Sequence, residues 1–411
     1  MSQEILFLSH RIPFPPNRGD KIRSHHILRR LARMAPVHVG CFADDHADLA
    51  EEVELASLAH SYHLARRSKP LVLAGLQALK EGKPISLTAF RDESMARFVR
   101  QTLSGGRIGT IYVFSSQMGQ YIPDDFAGRV IMDFVDVDSV KFEAYAAKSR
   151  GPMGWVHGRE GRLLAAEEAR LASHADVSLL ISRAEADLFT HRLGVLSRKV
   201  RVEVLGNGID SEFFDPGQVG PECRLAAMPG PRLIFTGQMD YQPNVAAVIR
   251  AVRHILPQIQ ARHPEASFHI VGRNPTDAVK ALEAVAGVHV WGRVDDIRPW
   301  LKASDMALVP LDIARGVQNK VLEAMAMELP VVLTGAAANG IHAVPGHHFA
   351  VADSDEALAA LVNNLADRPQ AGKAMGIDAR RLVVERASWQ SMLAPLVEML
   401  SEPPRKWRDA A

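Results

Sequence analysis

Short apolar runs recur along the chain, separated by amphipathic stretches of helical length. The runs at 5–9, 37–42, 110–114, 129–135, 177–181 and 200–205 read as strands. Helical patterning fills the intervals at 20–34, 46–59, 70–81, 92–104 and in a long stretch that ends near 173. A Pro- and Gly-rich segment at 215–230 then reads as a linker, and a second alternating set follows. Its strands are expected at 233–236, 267–271, 288–291, 306–310, 330–333 and 349–351. Uninterrupted apolar strands between amphipathic helices imply parallel sheets covered on both faces. Two doubly wound domains joined near residue 215 is the economical architecture, with ligands expected beyond the carboxyl ends of the strands and in a cleft between the two. Ser388 is placed to cap a last helix with an apolar face of Trp389, Met392, Leu393, Leu396, Met399 and Leu400, which Pro395 should kink or divide.

Composition narrows the class. The 411 residues are 47% hydrophobic and 23% charged, which is globular usage, and the formal net charge of +1 gives no global pull toward nucleic acid. Only Cys41 and Cys223 are present, which argues for a reducing compartment and against a disulfide framework. The first residues lack the basic start and apolar core of a signal peptide, and no apolar run is long enough to span a bilayer. The expectation is a cytoplasmic protein, soluble or held at a membrane surface. Locally, Arg11, Arg18, Lys21, Arg23, Arg29, Arg30 and Arg33 face Asp20 alone across 11–33, either as a solvated helix face or as a patch for an anionic partner such as lipid headgroups.

The segment 315–334 carries the most chemistry. Gln318, Asn319 and Lys320 crowd a helix start, and Glu323 follows Lys320 at i+3 on the same face. A helix N-terminus attracts phosphate, a lysine there adds a full charge, and a carboxylate one turn deeper can accept from sugar hydroxyls. The pattern is that of a grip on a diphosphate and a ribose, or of an ordinary capped amphipathic helix. Gly19, between a turn and a helix start, permits close backbone approach to an anionic ligand, and Asp20 is the natural cap of that helix. Asp133, Asp136 and Asp138 follow an apolar strand, where carboxylates face a ligand site. Asp136 is placed to accept a proton from an acceptor hydroxyl or to orient it. Asp138-Ser139 reads as a helix cap. The histidines show no metal-ligand spacing.

Four ordered blocks carry a family resemblance. They are Val204-Leu-Gly-Asn207-Gly208-Ile-Asp210 with Phe214-Asp-Pro216, Phe235-Thr-Gly237 with Tyr241-Gln-Pro243-Asn244, Val288 to Val294 around Gly292-Arg293, and Lys320-Val-Leu-Glu323 with Pro330-Val-Val. The chain resembles the GT-B glycosyltransferases, family 4. The block from His10 through Pro13, Pro15, Pro16 and Gly19 to Lys21, and the stretch Met132 to Ser139, are similar to the sugar transferases of PEP-CTERM exopolysaccharide systems. The resemblance implies a GT-B fold of two Rossmann-like doubly wound parallel-sheet domains facing a central cleft. It implies an acceptor-side domain at 1–212, a nucleotide-sugar domain at 213–386, and a helix at 387–411 returning to the first domain.

Residue by residue, it implies donor contacts from Gly19, Gly237, Gln238, Arg293, Gln318, Asn319, Lys320, Val321, Leu322 and Glu323, an acceptor side of Asp20, Lys21 and Asp133, and catalysis by Asp136 and Lys320. Arg293 would stack on the base or meet phosphate, or else pair with Asp295 or Asp296 on the surface. Glu323 matches the second acid of the family's Glu-x7-Glu motif, but Arg315 stands where the first belongs. Gln238 stands where relatives place an arginine, so Lys320 and Arg315 are expected to supply the charge. The expected activity is transfer of a sugar from a nucleoside-diphosphate sugar to a glycan or lipid-linked oligosaccharide, with retention, no cofactor, no metal and no nucleic acid. The rival readings are a nucleotide-sugar epimerase or hydrolase on the same fold, and a binding or partner subunit without activity.

Overall fold

The computed structural model describes residues 4–149, 151–314 and 317–404. The chain divides into two compact units, one running to Asn207 and taken up again from Leu393, the other spanning Gly208–Met392.

The first unit is built on seven strands: β1 Glu4–Ser9, β2 Val37–Ala43, β3 Ser61–Arg66, β4 Ile108–Phe114, β5 Arg129–Val135, β6 Val177–Leu180 and β7 Val202–Val204. Their spatial order is β3-β2-β1-β4-β5-β6-β7, all parallel. The second unit holds β8 Arg232–Thr236, β9 Ser267–Val271, β10 Val288–Gly292, β11 Met306–Val309, β12 Val331–Leu333 and β13 Ala350–Val351, in the order β10-β9-β8-β11-β12-β13, again parallel. In both sheets the direction of winding reverses beside the first strand, at β1/β4 and at β8/β11. Those are the points where helices on opposite faces part and leave room for a ligand.

The apolar strands are buried on both faces, as their continuous patterning requires. β1, β2 and β4 are buried along their whole length, as are β9, β11 and β12. Helix starts follow their cap residues: Asp45, Asp92, Ser182, Thr276, Thr334 and Ser354 each accept a backbone N–H of the first turn.

Several expectations are corrected. The strand β3 sits where the sequence suggests none, because its Ser-Tyr-His-Leu-Ala-Arg run is half-buried at a sheet edge and lacks an apolar stretch. The long helix before 173 is two helices, Asp138–Lys148 and Pro152–His174, since Gly151 turns with φ +67 and Pro152 starts the second. Residues in the expected linker include the helix Cys223–Ala226, whose Leu225 is fully buried in the second core. Ser388 accepts from the Ser391 N–H, and the helical run divides into Trp389–Met392 and Ala394–Ser401, with Pro395 in the first turn of the latter. Within the first unit, Arg129 donates to the Met399 carbonyl of that last helix.

Candidate functional sites at the carboxyl edges of the two sheets

In the second unit, β8 runs into Gly237 and Gln238, and the helix Asn319–Ala326 follows the neighbouring β11. The Lys320 ammonium is thereby brought back beside β8. Its Nζ donates to Asn244 Oδ1 at 2.5 Å and lies 4.3 Å from the centroid of the Phe235 ring. Buried Asn244 donates in turn to the Gln238 carbonyl at 2.9 Å. This chain fixes the lysine against an aromatic face and a polar anchor, an arrangement that holds a flexible side chain in one place.

Gly237 makes the packing possible. It adopts φ +148, and a Cβ there would stand 2.9 Å from Asn244 Nδ2 and 3.2 Å from Lys320 Nζ. Its carbonyl also passes so close to Gly272 that a Cβ on Gly272 would collide with it. Gly237→Ala should therefore displace Lys320 and cost about 1–3 kcal/mol of stability. Chemical denaturation alongside nucleotide titration checks this, and an alanine variant that keeps both properties would remove the packing argument.

Glu323 lies one turn beyond Lys320, half-buried. Burial pushes its carboxyl up to about 7, with the Lys320 charge opposing the rise. Burial likewise lowers the Lys320 ammonium to about 8, with Glu323 opposing the fall. Each side chain thus carries a charge whose hydration is only partly replaced, the condition under which an incoming partner of opposite polarity is most strongly held.

The other donor-side residues separate into two sets. Gln238 and Asn319 are exposed at this edge, and Gln318 stands at the helix cap without a side-chain cap bond. Val321 and Leu322, named as donor contacts, instead turn their side chains into the core, and both amides are taken by the Gln318 carbonyl. Apolar side chains on the inner stripe of an amphipathic helix have no other stable place. Arg293 is exposed past β10, and it does not hold Asp296, which is clasped by both arms of Arg298. Arg315 lies outside the described residues. One cation was missed: Arg273, after β9, is exposed and donates to Gln238 Oε1 at 3.0 Å. Only the order of strands reveals it, since β9 lies next to β8.

In the first unit, Gly19 opens the helix Gly19–Ala32, exposed, with no atom within 4 Å of where a Cβ would be. Asp20 is not the cap. Arg18 holds that position without a side-chain bond, and Asp20 sits in the first turn, accepting from Arg11 Nη1 at 2.7 Å. Burial raises the Asp20 carboxyl, but hydrogen bonds from His10 and Arg11 outweigh it and hold the group far below the usual range. Lys21 is buried and spent on Asp48 at 2.5 Å and on the Phe14 carbonyl at 2.7 Å, so it is not available to an acceptor.

Asp133 is also corrected. It is fully buried, clasped by Arg23 through two 3.1 Å bonds and by the Tyr112 hydroxyl at 2.8 Å. A carboxylate on the inward side of a central strand is sealed by both sheet faces, whatever its distance from the strand end. Arg23 reaches on to Asn207 at 3.0 Å. Four of the seven cations at 11–33, Arg11, Arg18, Lys21 and Arg23, find acids within the fold, while Arg29 and Arg33 stay exposed.

Asp136 lies just past β5 and meets Lys141 at 2.9 Å, as Asp138 does at 3.1 Å. The three aspartates do not converge on one point. Ser139 does not cap its helix either: its N–H and hydroxyl both go to Glu168, at 2.9 and 2.6 Å. Val135 has φ +68 and the Asp136 N–H returns to the Phe134 carbonyl at 2.9 Å, which closes a γ-turn. A β-branched residue in that region stores strain, and such strain clusters at functional positions. His10 was named only as the start of the N-terminal block and given no role. Its ring stacks on Phe114 at 5.8 Å, its Nε2 lies 3.4 Å from Asp20, and its Nδ1 is buried without a hydrogen-bond partner.

The match to known proteins follows the same lines. The fold is GT-B, two parallel doubly wound α/β units, and HepE from Anabaena, solved in complex with UDP, superposes over 97% of this chain and 99% of its own with a TM-score of 0.62 at 15% identity. Residues 230–368, within the second unit, match the family model described as glycosyl transferases group 1. Among curated proteins, alpha-maltose-1-phosphate synthase from Mycolicibacterium smegmatis is 29% identical over 48% of this chain and 56% of its own length. An MMP alpha-(1->4)-mannosyltransferase from Mycolicibacterium hassiacum is 25% identical over 56% of this chain and 55% of its own. The chain thus spans about half the length of the curated relatives it matches.

Proposed function

We propose that this protein is a glycosyltransferase that moves a sugar from a nucleoside-diphosphate sugar to a hydroxyl acceptor in the synthesis of a cell-surface glycan such as an exopolysaccharide. The observation that carries the reading is the Lys320 ammonium, fixed at a helix start by Asn244 and Phe235, with the Glu323 carboxylate one turn deeper. Lys320, the Asn319 and Lys320 amides and Arg273 hold the diphosphate, and Glu323 accepts from the ribose hydroxyls. The bond from the anomeric carbon to the diphosphate oxygen breaks while the acceptor oxygen bonds to that carbon with retention. The acceptor proton passes to the departing diphosphate. No metal is required, because stabilisation of the leaving group by Lys320 and the helix start is the main catalytic contribution. The UDP bound by HepE makes uridine nucleotides the first donors to try.

The experiment is transfer from a library of nucleotide sugars to lipid-linked and soluble acceptors, read by mass spectrometry, with calorimetry of the nucleoside diphosphates. Affinity should pass through a maximum between about pH 7 and about pH 8. Below it Glu323 gains a proton, loses its charge and accepts more weakly from the ribose. Above it Lys320 loses the charge that meets phosphate. Bound phosphate favours the ammonium, so binding on the alkaline side should take up a proton, visible as a dependence of the heat on buffer ionisation. Affinity that is flat from pH 6 to 9 would remove this pair from the site.

A further inference from the structure

A surface helix of an α/β domain normally turns its large apolar side chains to the sheet. The helix Leu71–Glu81 does the reverse. Ala74 and Ala78 face inward and are fully buried, while Leu71, Val72, Leu73, Leu76 and Leu79 are each between 52% and 74% exposed. Positions 72, 76 and 79 share one face, opposite the two alanines. Lysines at 80 and 83 close its carboxyl end, both exposed.

A second exposed apolar cluster adjoins it. Tyr145, Met153 and Trp155 are 53–59% exposed around the tip of the hairpin formed by helices Asp138–Lys148 and Pro152–His174. Arg159 of that hairpin donates to the Ala78 carbonyl at 2.8 Å and to the Lys83 carbonyl at 3.1 Å. Trp155 is one turn before Arg159 on the same helix face, so the two clusters form one surface. Both elements follow strand carboxyl ends of the first sheet, β3 and β5. That is the edge at which a doubly wound sheet meets its ligands.

The charges around the surface decide its occupant. The acids beside it are neutralised within the fold, Glu81 by Arg91 and Glu143 by Arg192. The exposed lysines Lys80, Lys83 and Lys148 remain around it. A protruding helix and a hairpin tip, with Leu outward, Trp and Tyr at the rim and lysines at the border, fit a deformable anionic lipid surface. No described helix is long and apolar enough to cross a bilayer, so the contact would be one-sided.

We propose that Leu71–Glu81 and the 145–155 hairpin tip dock the first unit on an anionic membrane, so that a lipid-linked acceptor is met at the bilayer surface. The acceptor clause rests on the proposed transfer activity; the docking itself does not. The test is flotation of the full chain with vesicles of phosphatidylglycerol and phosphatidylcholine in equal parts, against pure phosphatidylcholine, with nucleoside-diphosphate calorimetry run beside it. The parent should float with the anionic vesicles, less so in high salt. A combined Val72→Asn, Leu76→Gln, Leu79→Gln variant should lose at least about tenfold in partition, since it removes the inserted face. Leu73→Gln and Trp155→Ala, each alone, should lose about threefold and keep the test sharp if the triple variant misfolds. Nucleotide affinity should stay at the parental value in all of them, which separates loss of docking from loss of the donor site. Docking is overturned if the parent fails to float, if the folded variants float like the parent, or if sedimentation shows the surface buried in a dimer that the triple variant dissociates.

Discussion

Lys320→Ala weakens nucleoside-diphosphate binding by about 1.5–3 kcal/mol, roughly ten- to a hundredfold, the worth of a hydrogen bond to a charged group. The argument is one of position. The ammonium sits at a helix start, is partly stripped of water, and has one anchor at Asn244 and one at the Phe235 ring. A phosphate would replace the hydration that burial removes, so the cost of holding this charge in the empty site becomes affinity when the anion arrives. Lys320→Met keeps the aliphatic stem on Phe235 and separates charge from packing. It should lose affinity as fully as the alanine variant while melting no lower than the parent. Sign follows from the lowered ammonium value: below about pH 8 the folded state carries the full cost of the buried charge, and above the unfolded lysine range that cost is gone. Calorimetric titration with melting curves decides it. Parental affinity in the methionine variant would mean that the diphosphate rests elsewhere.

Breaking the Arg23–Asp133 pair should cost more. Asp133→Ala or Arg23→Ala each leaves a charge in a sheet interior where both side chains are essentially fully buried. The expected loss is about 3–5 kcal/mol. In Asp133→Ala, Tyr112 would also lose its acceptor. Burial raises the Asp133 carboxyl despite the Arg23 charge, a sign that desolvation dominates there. Replacing both partners together, as Arg23→Met with Asp133→Leu, should recover most of the loss, because the penalty belongs to the uncompensated partner. Urea unfolding of the parent and the variants measures this. If instead Asp133→Asn kept its stability and abolished transfer, Asp133 would be a reacting acid after all, and its assignment as a structural group would fall.

These residues also show how far a sequence can be read. The strands β1, β4, β8 and β11 were legible because continuous apolar runs have one stable home, a sheet covered on both faces. Lys320 and Glu323 were legible because their spacing on a helix is local geometry. Asp133 was misread because it was taken to follow the strand, whereas β5 runs on to Val135 and keeps it inside a sheet covered on both faces. Lys21 and Arg23 were misread as surface charge because their partners Asp48 and Asp133 lie 27 and 110 residues away. Asn244 was noticed as part of a motif but given no task, since its task is to meet a lysine 76 residues on.

The sequence by itself determined the alternation of strand and helix, the two-unit organisation, and the helix start that presents a lysine above a carboxylate. All of these follow from periodicity and from interactions within a turn or two of chain. Tertiary structure alone decided which charges are spent inside the fold, that Arg273 stands beside Gln238, and that the helix Leu71–Glu81 faces its leucines outward. An apolar period shows that a helix has a greasy face, but the direction of that face depends on what the rest of the chain packs against it.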